Sequence, residues 1–193
     1  MPGHLRAAAC ALLIGLSACG EDTVTAAKPT PQEPTREAVG YYCNMIVLDH
    51  IGPKGQVFLR SQAAPVWFSS VRDALAFTLL PEEPKHIAAI YVNDMGAASW
   101  AAPEPGTWIE AKAAVYVIGS AMRGGMGAQE AVPFAERAEA EAFAARHGGR
   151  VMAFAEIPRD YILSSDEPTQ SGTEEAGHHD HGHETGTGHG TTH

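Results

Sequence analysis

The apolar positions between residues 39 and 163 fall into short runs that predict strands. Their length and their content of β-branched and aromatic residues are typical of strands, and polar or Pro- and Gly-containing stretches separate them. The runs lie at residues 41–48, 56–59, 66–69, 87–92, 108–119 and 150–157.

Two other segments have the character of helices. In the first, Ser70 and Asp73 have the Ser-x-x-acid spacing of a helix cap, and Pro81 ends the helix. The second, residues 136–146, is rich in Ala and Glu, and the glycine pair at 148–149 ends it. Helices and strands therefore mix along the chain, which predicts an α+β fold.

The two helical segments begin with similar sequences, which predicts an internal repeat. FSSVRDALAF at residues 68–77 and FAERAEAEAF at 134–143 share Phe at both ends, an acid at the sixth position and Ala at the seventh and ninth. Each follows strand-like runs and precedes another strand. We therefore expect two small homologous strand-strand-helix-strand units packed together, residues 39–102 and 103–163, joined near the Pro- and Gly-containing stretch 97–106.

The N-terminal residues have the pattern of a lipoprotein signal. Residues 1–18 combine a weakly basic start with an apolar run shorter than the roughly 20 residues of a spanning helix, which predicts a cleaved signal peptide. Leu16-Ser17-Ala18-Cys19 is typical of a lipoprotein processing site, so we expect lipid on Cys19. Residues 19–38 are predicted to be a flexible tether. Because Asp does not follow Cys19, we expect the periplasmic face of the bacterial outer membrane rather than the inner membrane.

Acidity is concentrated in the last thirty residues of the chain. The formal net charge is −10, and residues 164–193 supply six acids without Lys or Arg. They contain no large apolar residue, which predicts a disordered tail. The body is therefore only mildly acidic, and the charge gives no indication of nucleic-acid binding. The tail also predicts a secondary metal-binding cluster, with a purely solvating tail as the alternative, at His178, His179, His181 and His183.

Cys43 is the cysteine that remains once Cys10 leaves with the signal and Cys19 takes lipid. An unpaired cysteine in an oxidising compartment is a liganding or reactive thiol, an intermolecular link, or a small buried residue. On the predicted strand, Cys43 and Met45 share one face with Cα atoms roughly 6.5 Å apart. A thiolate and a thioether are soft donors that select Cu(I). The pair therefore predicts a Cu(I) site.

Two sulfur atoms need a further donor from elsewhere in the fold. Met126 is the first candidate, because a large apolar residue in the glycine-rich sequence RGGMG is hard to explain by core packing. His50 is the second, since its imidazole suits copper, although a solvated turn explains it equally well.

The stretch CNMIVLDHIGPKGQ at residues 43–56 resembles the Cys-x-Met signature of the NosL family, the copper-binding accessory lipoproteins of nitrous oxide reductase. Later stretches occur in the family's order: YVND at 91–94, AVYVIG at 114–119, GMG at 125–127 and PF at 133–134. The resemblance covers the body and leaves out the tail.

This resemblance implies a fold and a function. The fold would be two homologous units related to organomercurial lyase. The function would be delivery of Cu(I) in the periplasm to nitrous oxide reductase, together with a membrane ABC-type assembly complex. The resemblance implies Cys43 and Met45 as copper ligands and Met126 as a third, while the role of His50 stays open.

The alternative is a thiol-dependent enzyme that uses Cys43. A hydrolase would need His50 as an oriented base and an oxyanion site, and no such arrangement is visible in the sequence. An organomercurial-lyase-like reaction would need a second thiol, which the body lacks. A blue-copper carrier needs two histidines in a compact loop with the cysteine. We therefore predict a binding protein and not an enzyme.

Overall fold

The computed structural model describes residues 27–164. The predicted signal peptide, Cys19 and the histidines of the tail lie outside the described residues. No helix between residues 27 and 164 is long and apolar enough to cross a membrane. The chain folds into two small antiparallel sheets with few helices, which confirms the predicted α+β class.

The first sheet has four strands in the order β2-β1-β3-β4. Helix α1 follows the first two strands in sequence and precedes β3. The bounds are Gly55–Leu59 for β1, Val66–Phe68 for β2, Val71–Leu79 for α1, Ile87–Asn93 for β3 and Trp108–Glu110 for β4. Neighbouring strands in this sheet are antiparallel.

The second sheet has three antiparallel strands in the order β6-β5-β7. Helix α2 lies between β6 and β7 in sequence, and a short 3-10 turn and helix α3 follow the last strand. The bounds are Val115–Ile118 for β5, Val132–Phe134 for β6, Arg137–His147 for α2, Arg150–Ala153 for β7, Phe154–Glu156 for the turn and Arg159–Leu163 for α3.

Both predicted helices begin and end as the sequence indicates. The Ser70 hydroxyl accepts a hydrogen bond from the Asp73 amide at 3.3 Å, so it caps α1, and the helix ends two residues before Pro81. Helix α2 ends at Gly148, whose φ of 73° lies in the left-handed region that glycine adopts without steric cost. These ends are local features, which is why the sequence alone predicts them.

The predicted strand at 108–119 is two strands that belong to different sheets. β4 pairs with β3, whereas β5 is the central strand of the second sheet. The chain turns between them, and the Ala113 amide donates to the Glu110 carbonyl at 3.0 Å. Ala111 and Ala114 are buried in this turn. The chain therefore passes between the sheets at residues 111–114, a turn in which Ala111 and Ala114 are buried and the two residues between them are exposed.

The prediction of a strand at 41–48 is wrong. Residues 41–43 form a turn, and a 3-10 helix covers Val47–Asp49. Val39 and Ile46 form an isolated antiparallel bridge across this turn. Asn44 has a φ of 53°, which is incompatible with an extended strand. The segment is therefore a tight loop.

Both sheets contribute to one hydrophobic core. Val57 and Ile90 of the first sheet and Val71 of α1 pack in the same cluster as Tyr116 of β5 and Ile162 of α3. The buried Tyr116 hydroxyl donates to the Ala111 carbonyl at 2.7 Å. A smaller cluster fills the space under α2, with Val117, Val132, Phe134, Ala140 and Phe143. The shared core holds the two sheets together as one body.

Residues 27–38 lie against the first sheet through polar contacts. Gln32 exchanges two hydrogen bonds with the buried Gln56, at 2.9 and 3.0 Å. The Tyr91 hydroxyl donates to the Pro29 carbonyl at 2.7 Å, and the Trp108 indole donates to the Glu33 carboxylate at 3.1 Å. The sequence analysis places this stretch in the predicted flexible tether. Contacts made by polar groups leave no periodic pattern of apolar residues, so the sequence does not reveal them.

Candidate metal site

Cys43 lies in a tight loop that hydrogen bonds close on both sides. The Gly40 amide donates to the Met45 carbonyl, and the Asn44 amide donates to the Gly40 carbonyl, both at 2.8 Å. A Cβ atom at Gly40 would lie 2.5 Å from the Cys43 sulfur, so only glycine leaves room for the thiol. The sulfur is half-buried, 3.5 Å from the Ser69 hydroxyl oxygen. The loop therefore holds the thiol against the start of α1.

Met45 belongs to the same loop, but not in the way the sequence predicts. The two residues are not on one face of a strand, because the left-handed Asn44 separates them in a turn. The Met45 side chain is 41% exposed. One loop therefore carries a half-buried cysteine and an exposed methionine.

Met126 lies at the tip of a second loop, as its glycine-rich setting predicts. Arg123 and Gln129 form an isolated bridge at the base of this loop. Inside it, the Gly124 amide donates to the Ala128 carbonyl at 2.9 Å. Met126 is 48% exposed.

His50 joins the two loops. Its Nδ1 atom lies 3.3 Å from the Gly125 carbonyl oxygen. A Cβ atom at Gly125 would lie 2.5 Å from the His50 Cβ and 2.9 Å from the Ile51 carbonyl oxygen, so this approach requires glycine. The His50 Nε2 atom is buried and has no hydrogen-bond partner in the described part of the chain.

The four predicted ligands are only partly brought together. Met126 lines a depression of about 260 Å³ that includes Ser70, next in sequence to the Ser69 that contacts Cys43. The two sulfur-bearing loops therefore approach the start of α1. The His50 side chain lines a different depression, with Leu48, Lys54 and Trp108. Its contact with the Met126 loop is through Gly125.

A buried lysine fixes the His50 end of the first loop. Lys54 is only 3% exposed, and its ammonium group donates to the Ile51 carbonyl at 3.1 Å and to the Gly52 carbonyl at 2.5 Å. Burial lowers the pKa of Lys54 to about 8, and the nearby Glu130 opposes this shift. The Lys54 ammonium group therefore holds the loop through these two hydrogen bonds, although burial removes part of its hydration.

A buried glutamate fixes the other loop. Glu130 is 1% exposed, and its Oε1 atom accepts hydrogen bonds from the Arg72 amide at 2.8 Å and the Ala131 amide at 2.9 Å. Burial raises its pKa to about 7, and these two amide donors moderate the shift. Sequence reasoning missed both Lys54 and Glu130. The sequence feature that could have identified them is a charged residue directly beside an apolar run, in GPKGQVF and in QEAVPF.

Exposed apolar side chains are concentrated on the two loops. Eight large hydrophobic residues are exposed in the described part of the chain, and all but Leu163 lie on or beside these loops. Exposed apolar side chains that cluster on neighbouring loops are typical of interaction sites. The seven are Val39, Tyr41, Tyr42, Met45, Leu48, Ile51 and Met126.

Between residues 27 and 164, no group of three or more His, Cys, Asp or Glu side chains is arranged to hold a metal ion. The candidate site instead combines the thiol of Cys43 with the thioethers of Met45 and Met126. The fold and this site define a small α+β protein with an open, sulfur-bearing surface site.

The chain belongs to the NosL family, whose model matches residues 31–162. It is 51% identical to the copper-binding lipoprotein NosL of Achromobacter cycloclastes over 172 residues, 88% of this chain and 85% of that protein. It is 36% identical to the copper-binding lipoprotein NosL of Stutzerimonas stutzeri, with the same coverage. The crystal structure of the copper chaperone NosL from Shewanella denitrificans is also similar. It has a TM-score of 0.64 and 31% identity, and the match covers 68% of this chain and 97% of that one.

Proposed function

We propose that this protein is a metallochaperone that binds Cu(I) through Cys43, Met45 and Met126. The observation that carries the proposal is that the half-buried Cys43 thiol and the exposed Met126 both lie near the start of helix α1, with the exposed Met45 in the same loop as Cys43. These soft donors match Cu(I) and not the harder divalent ions. Membership of the NosL family and relatives described as copper-binding support the same conclusion.

An open site suits a protein that must release its metal. Metal affinity rises with the number of ligands and with closure of the coordination shell, whereas transfer to another protein requires an accessible face. Met45 and Met126 are each more than two-fifths exposed. An incoming ligand can therefore reach copper without unfolding the site. His50 is the less suitable ligand, because its ring lines a separate depression.

The destination of the copper is nitrous oxide reductase, reached with a membrane ABC-type assembly complex. The support is the family resemblance of the motif at residues 43–56, together with the family match. The protein would act in the bacterial periplasm, held on the membrane by lipid at Cys19, in keeping with relatives described as lipoproteins. The exposed apolar side chains on the loops of Met45 and Met126 suit contact with a protein partner.

The contacts of Cys43 favour binding over catalysis. A thiol nucleophile that uses His50 as its base needs that histidine within hydrogen-bond reach. The described neighbour of the Cys43 sulfur is the Ser69 hydroxyl, whereas His50 contacts the Gly125 carbonyl. The NosL relatives are described as a copper chaperone and as copper-binding lipoproteins. We therefore propose no enzymatic role for Cys43.

We also infer that the two strand-strand-helix-strand units arose by duplication. In each unit the first strand is central and pairs antiparallel with the other two, and the helix precedes the third strand. The related sequences at 68–77 and 134–143 occupy the same place in both units. A superposition of the two units that failed to align these helices would contradict the duplication.

An anaerobic Cu(I) titration against a competing chelator tests the copper proposal. The protein from Gly20 onward, in which Cys43 is the one cysteine, is compared with its Cys43→Ser variant and with Met95→Leu, a control in which the altered methionine packs on the smaller core cluster. We expect the parent and control to bind one tight Cu(I) that Cys43→Ser loses. Equal tight binding by all three proteins would exclude Cys43 as a copper ligand.

A further inference from the structure

Positive charge is concentrated in one depression on the surface of the first sheet, which we call the basic depression. It has a volume of about 840 Å³, and Glu110 is the one acid among its described lining residues. The chain has four lysines, and all except the buried Lys54 line this depression with their side chains exposed. Because the body as a whole is mildly acidic, this concentration of cations is a local feature. The cations are Lys28, Arg60, Lys85 and Lys112.

The basic depression carries positive charge that its own surroundings do not neutralise. Lys28 forms an ion pair with Glu110, and the Lys85 ammonium group donates to two carbonyls at the end of α1. Within residues 27–164, the side chains of Arg60 and Lys112 make no hydrogen bond or ion pair, and both are exposed. A cleft lined by cations attracts an anionic partner.

The described part of the chain begins at this depression. Ala27 and Lys28 line it, and the Tyr91 hydroxyl fixes the next residue by donating to the Pro29 carbonyl at 2.7 Å. Cys19, where we propose the lipid, comes eight residues before Ala27 in the sequence. Eight residues span at most roughly 29 Å. The lipid would therefore keep the basic depression within this distance of the membrane.

The sulfur-bearing loops lie at the other end of α1. Ser70, which caps the start of the helix, lines the depression that contains Met126, whereas Thr78, in the last turn, lines the basic depression. The helix between these two residues is roughly 12 Å long. Strand β1 likewise runs from Gly55, which lies beside Ser70, to Leu59 in the basic depression. A membrane at the basic depression would therefore leave the sulfur-bearing loops at the opposite end of the sheet.

We propose that the basic depression rests on the anionic phospholipid headgroups of the membrane that holds the protein. This inference rests on the proposed function, because it orients the lipid-anchored protein, but it does not depend on copper binding. Basic residues near an anionic membrane surface each add to its attraction, and acyl chains commonly act together with a basic patch. The start of the tether at this depression favours a lipid surface over an acidic protein.

The contact gives the anchored protein a fixed orientation. A lipid on a tether holds the body near the membrane but leaves it free to turn. Headgroup phosphates at Arg60 and Lys112 remove that freedom, since these exposed cations have no partner among residues 27–164. The loops of Cys43 and Met126 then face the aqueous compartment, where a protein partner can reach them.

Acetylation of lysines by a water-soluble reagent, read by mass spectrometry, tests this contact, because every exposed lysine lies in the depression. The full lipoprotein is purified from bacterial membranes, and its intact mass shows whether acyl chains are attached. It is labelled in detergent, in vesicles of phosphatidylcholine, and in vesicles of equal parts phosphatidylcholine and phosphatidylglycerol, at low and at high salt. Arg137→Lys, at an exposed position of α2, supplies a reference lysine in the same molecule.

We expect Lys28, Lys85 and Lys112 to react at least roughly fivefold more slowly on the anionic vesicles than on the neutral vesicles, and high salt should remove the difference. The reference lysine should react equally on both. Arg60→Gln leaves the three reporting lysines in place and should lower the ratio of bound to unbound depressions roughly fivefold. Arg146→Gln removes the same charge from α2 and should leave this ratio unchanged.

Several results would overturn the inference. Equal rates on the two kinds of vesicle would show that anionic headgroups do not cover the depression. Equal slowing at the reference lysine would reveal a general effect of charged vesicles, and slow labelling already in detergent would show that the chain itself covers the depression. Slow labelling on neutral vesicles as well would exclude recognition of anionic headgroups.

The same experiment separates this inference from the proposed function. An intact mass without acyl chains would contradict the lipid anchor and, with it, the inference. Normal acylation with unprotected lysines would contradict the inference alone. The chelator titration of Cu(I) is made on protein without lipid, so neither result changes the test of the copper site.

Discussion

The Nδ1 atom of His50 lies 3.3 Å from the carbonyl oxygen of Gly125, although 75 residues separate them in the chain. This contact joins the loop of Cys43 and Met45 to the loop of Met126. The carbonyl of Ile51, which Lys54 holds, faces the same glycine. The relative position of the sulfur atoms therefore depends on a contact between two loops that no strand connects.

Replacing Gly125 with alanine should separate the two loops. The added Cβ would lie 2.5 Å from the His50 Cβ, and both sides of the contact include backbone or near-backbone atoms. We expect a loss of about 1–3 kcal/mol in the free energy of unfolding, together with weaker Cu(I) binding. Urea denaturation and chelator competition measure the two effects. Ala121→Ser, at an exposed position, is the control and should change neither. Parent-like copper affinity in Gly125→Ala would show that the loop contact does not position the ligands.

Met45→Leu and Met126→Leu should lower copper affinity without affecting folding. Leucine keeps the apolar volume and removes the thioether, and both side chains are largely exposed, so we expect the free energy of unfolding to change by less than about 1 kcal/mol. The loss of one soft donor should weaken Cu(I) binding roughly tenfold, about 1.4 kcal/mol. Met152→Leu, which packs on the main core, provides the control with unchanged affinity. If either variant binds as the parent does, that methionine is not a ligand.

Glu130 should make the protein less stable as pH rises from about 4.5 to about 7. Burial raises its pKa from an ordinary value near 4.5 to about 7. The folded state therefore binds this proton more tightly than the unfolded state does. The stabilisation that results is fully present below about pH 4.5 and is lost as pH rises to about 7. The free energy of unfolding falls by about 3 kcal/mol over this range.

Glu130→Gln should remove this pH dependence. The glutamine oxygen can still accept from the Arg72 and Ala131 amides, but no carboxylate is left to ionise in the core. We expect the variant to be more stable than the parent at pH 8 and to show a flat stability profile between pH 5 and 7.5. Urea denaturation across this range checks it, with Glu141→Gln at an exposed helix position as the control. A parent-like decline in the Gln variant would assign the pH dependence to another group.

Lys54→Met should loosen the loop that carries His50. The variant keeps the long apolar side chain and removes the two hydrogen bonds to the Ile51 and Gly52 carbonyls. Because burial lowers the pKa of Lys54 to about 8, the parent should gain stability between about pH 8 and 10.5, where the unfolded chain still binds this proton. Lys54→Met should lose this gain and should bind Cu(I) more weakly. Lys112→Met, at an exposed position, is the matched control. Retention of the alkaline gain would show that Lys54 is not its source.

The sequence by itself determined the features that depend on neighbouring residues. The cap formed by Ser70 and Asp73 and the end of α2 at Gly148 involve interactions within one helical turn. The apolar runs of β1, β3 and β5 predicted strands, because strands that are largely buried consist mostly of apolar residues. The candidate ligands also came from local sequence, since Cys43, Met45 and Met126 are chemically unusual where they stand.

The tertiary structure alone decided how these pieces meet. An apolar run at 41–48 reads as a strand, but Asn44 in the left-handed region and the bonds of Gly40 make it a loop. Lys54 and Glu130 become buried, and Arg72 fixes the start of the tail, because of residues far away in sequence. Such contacts form only when two sheets share one core, and their energy depends on burial and on partners that no local pattern specifies.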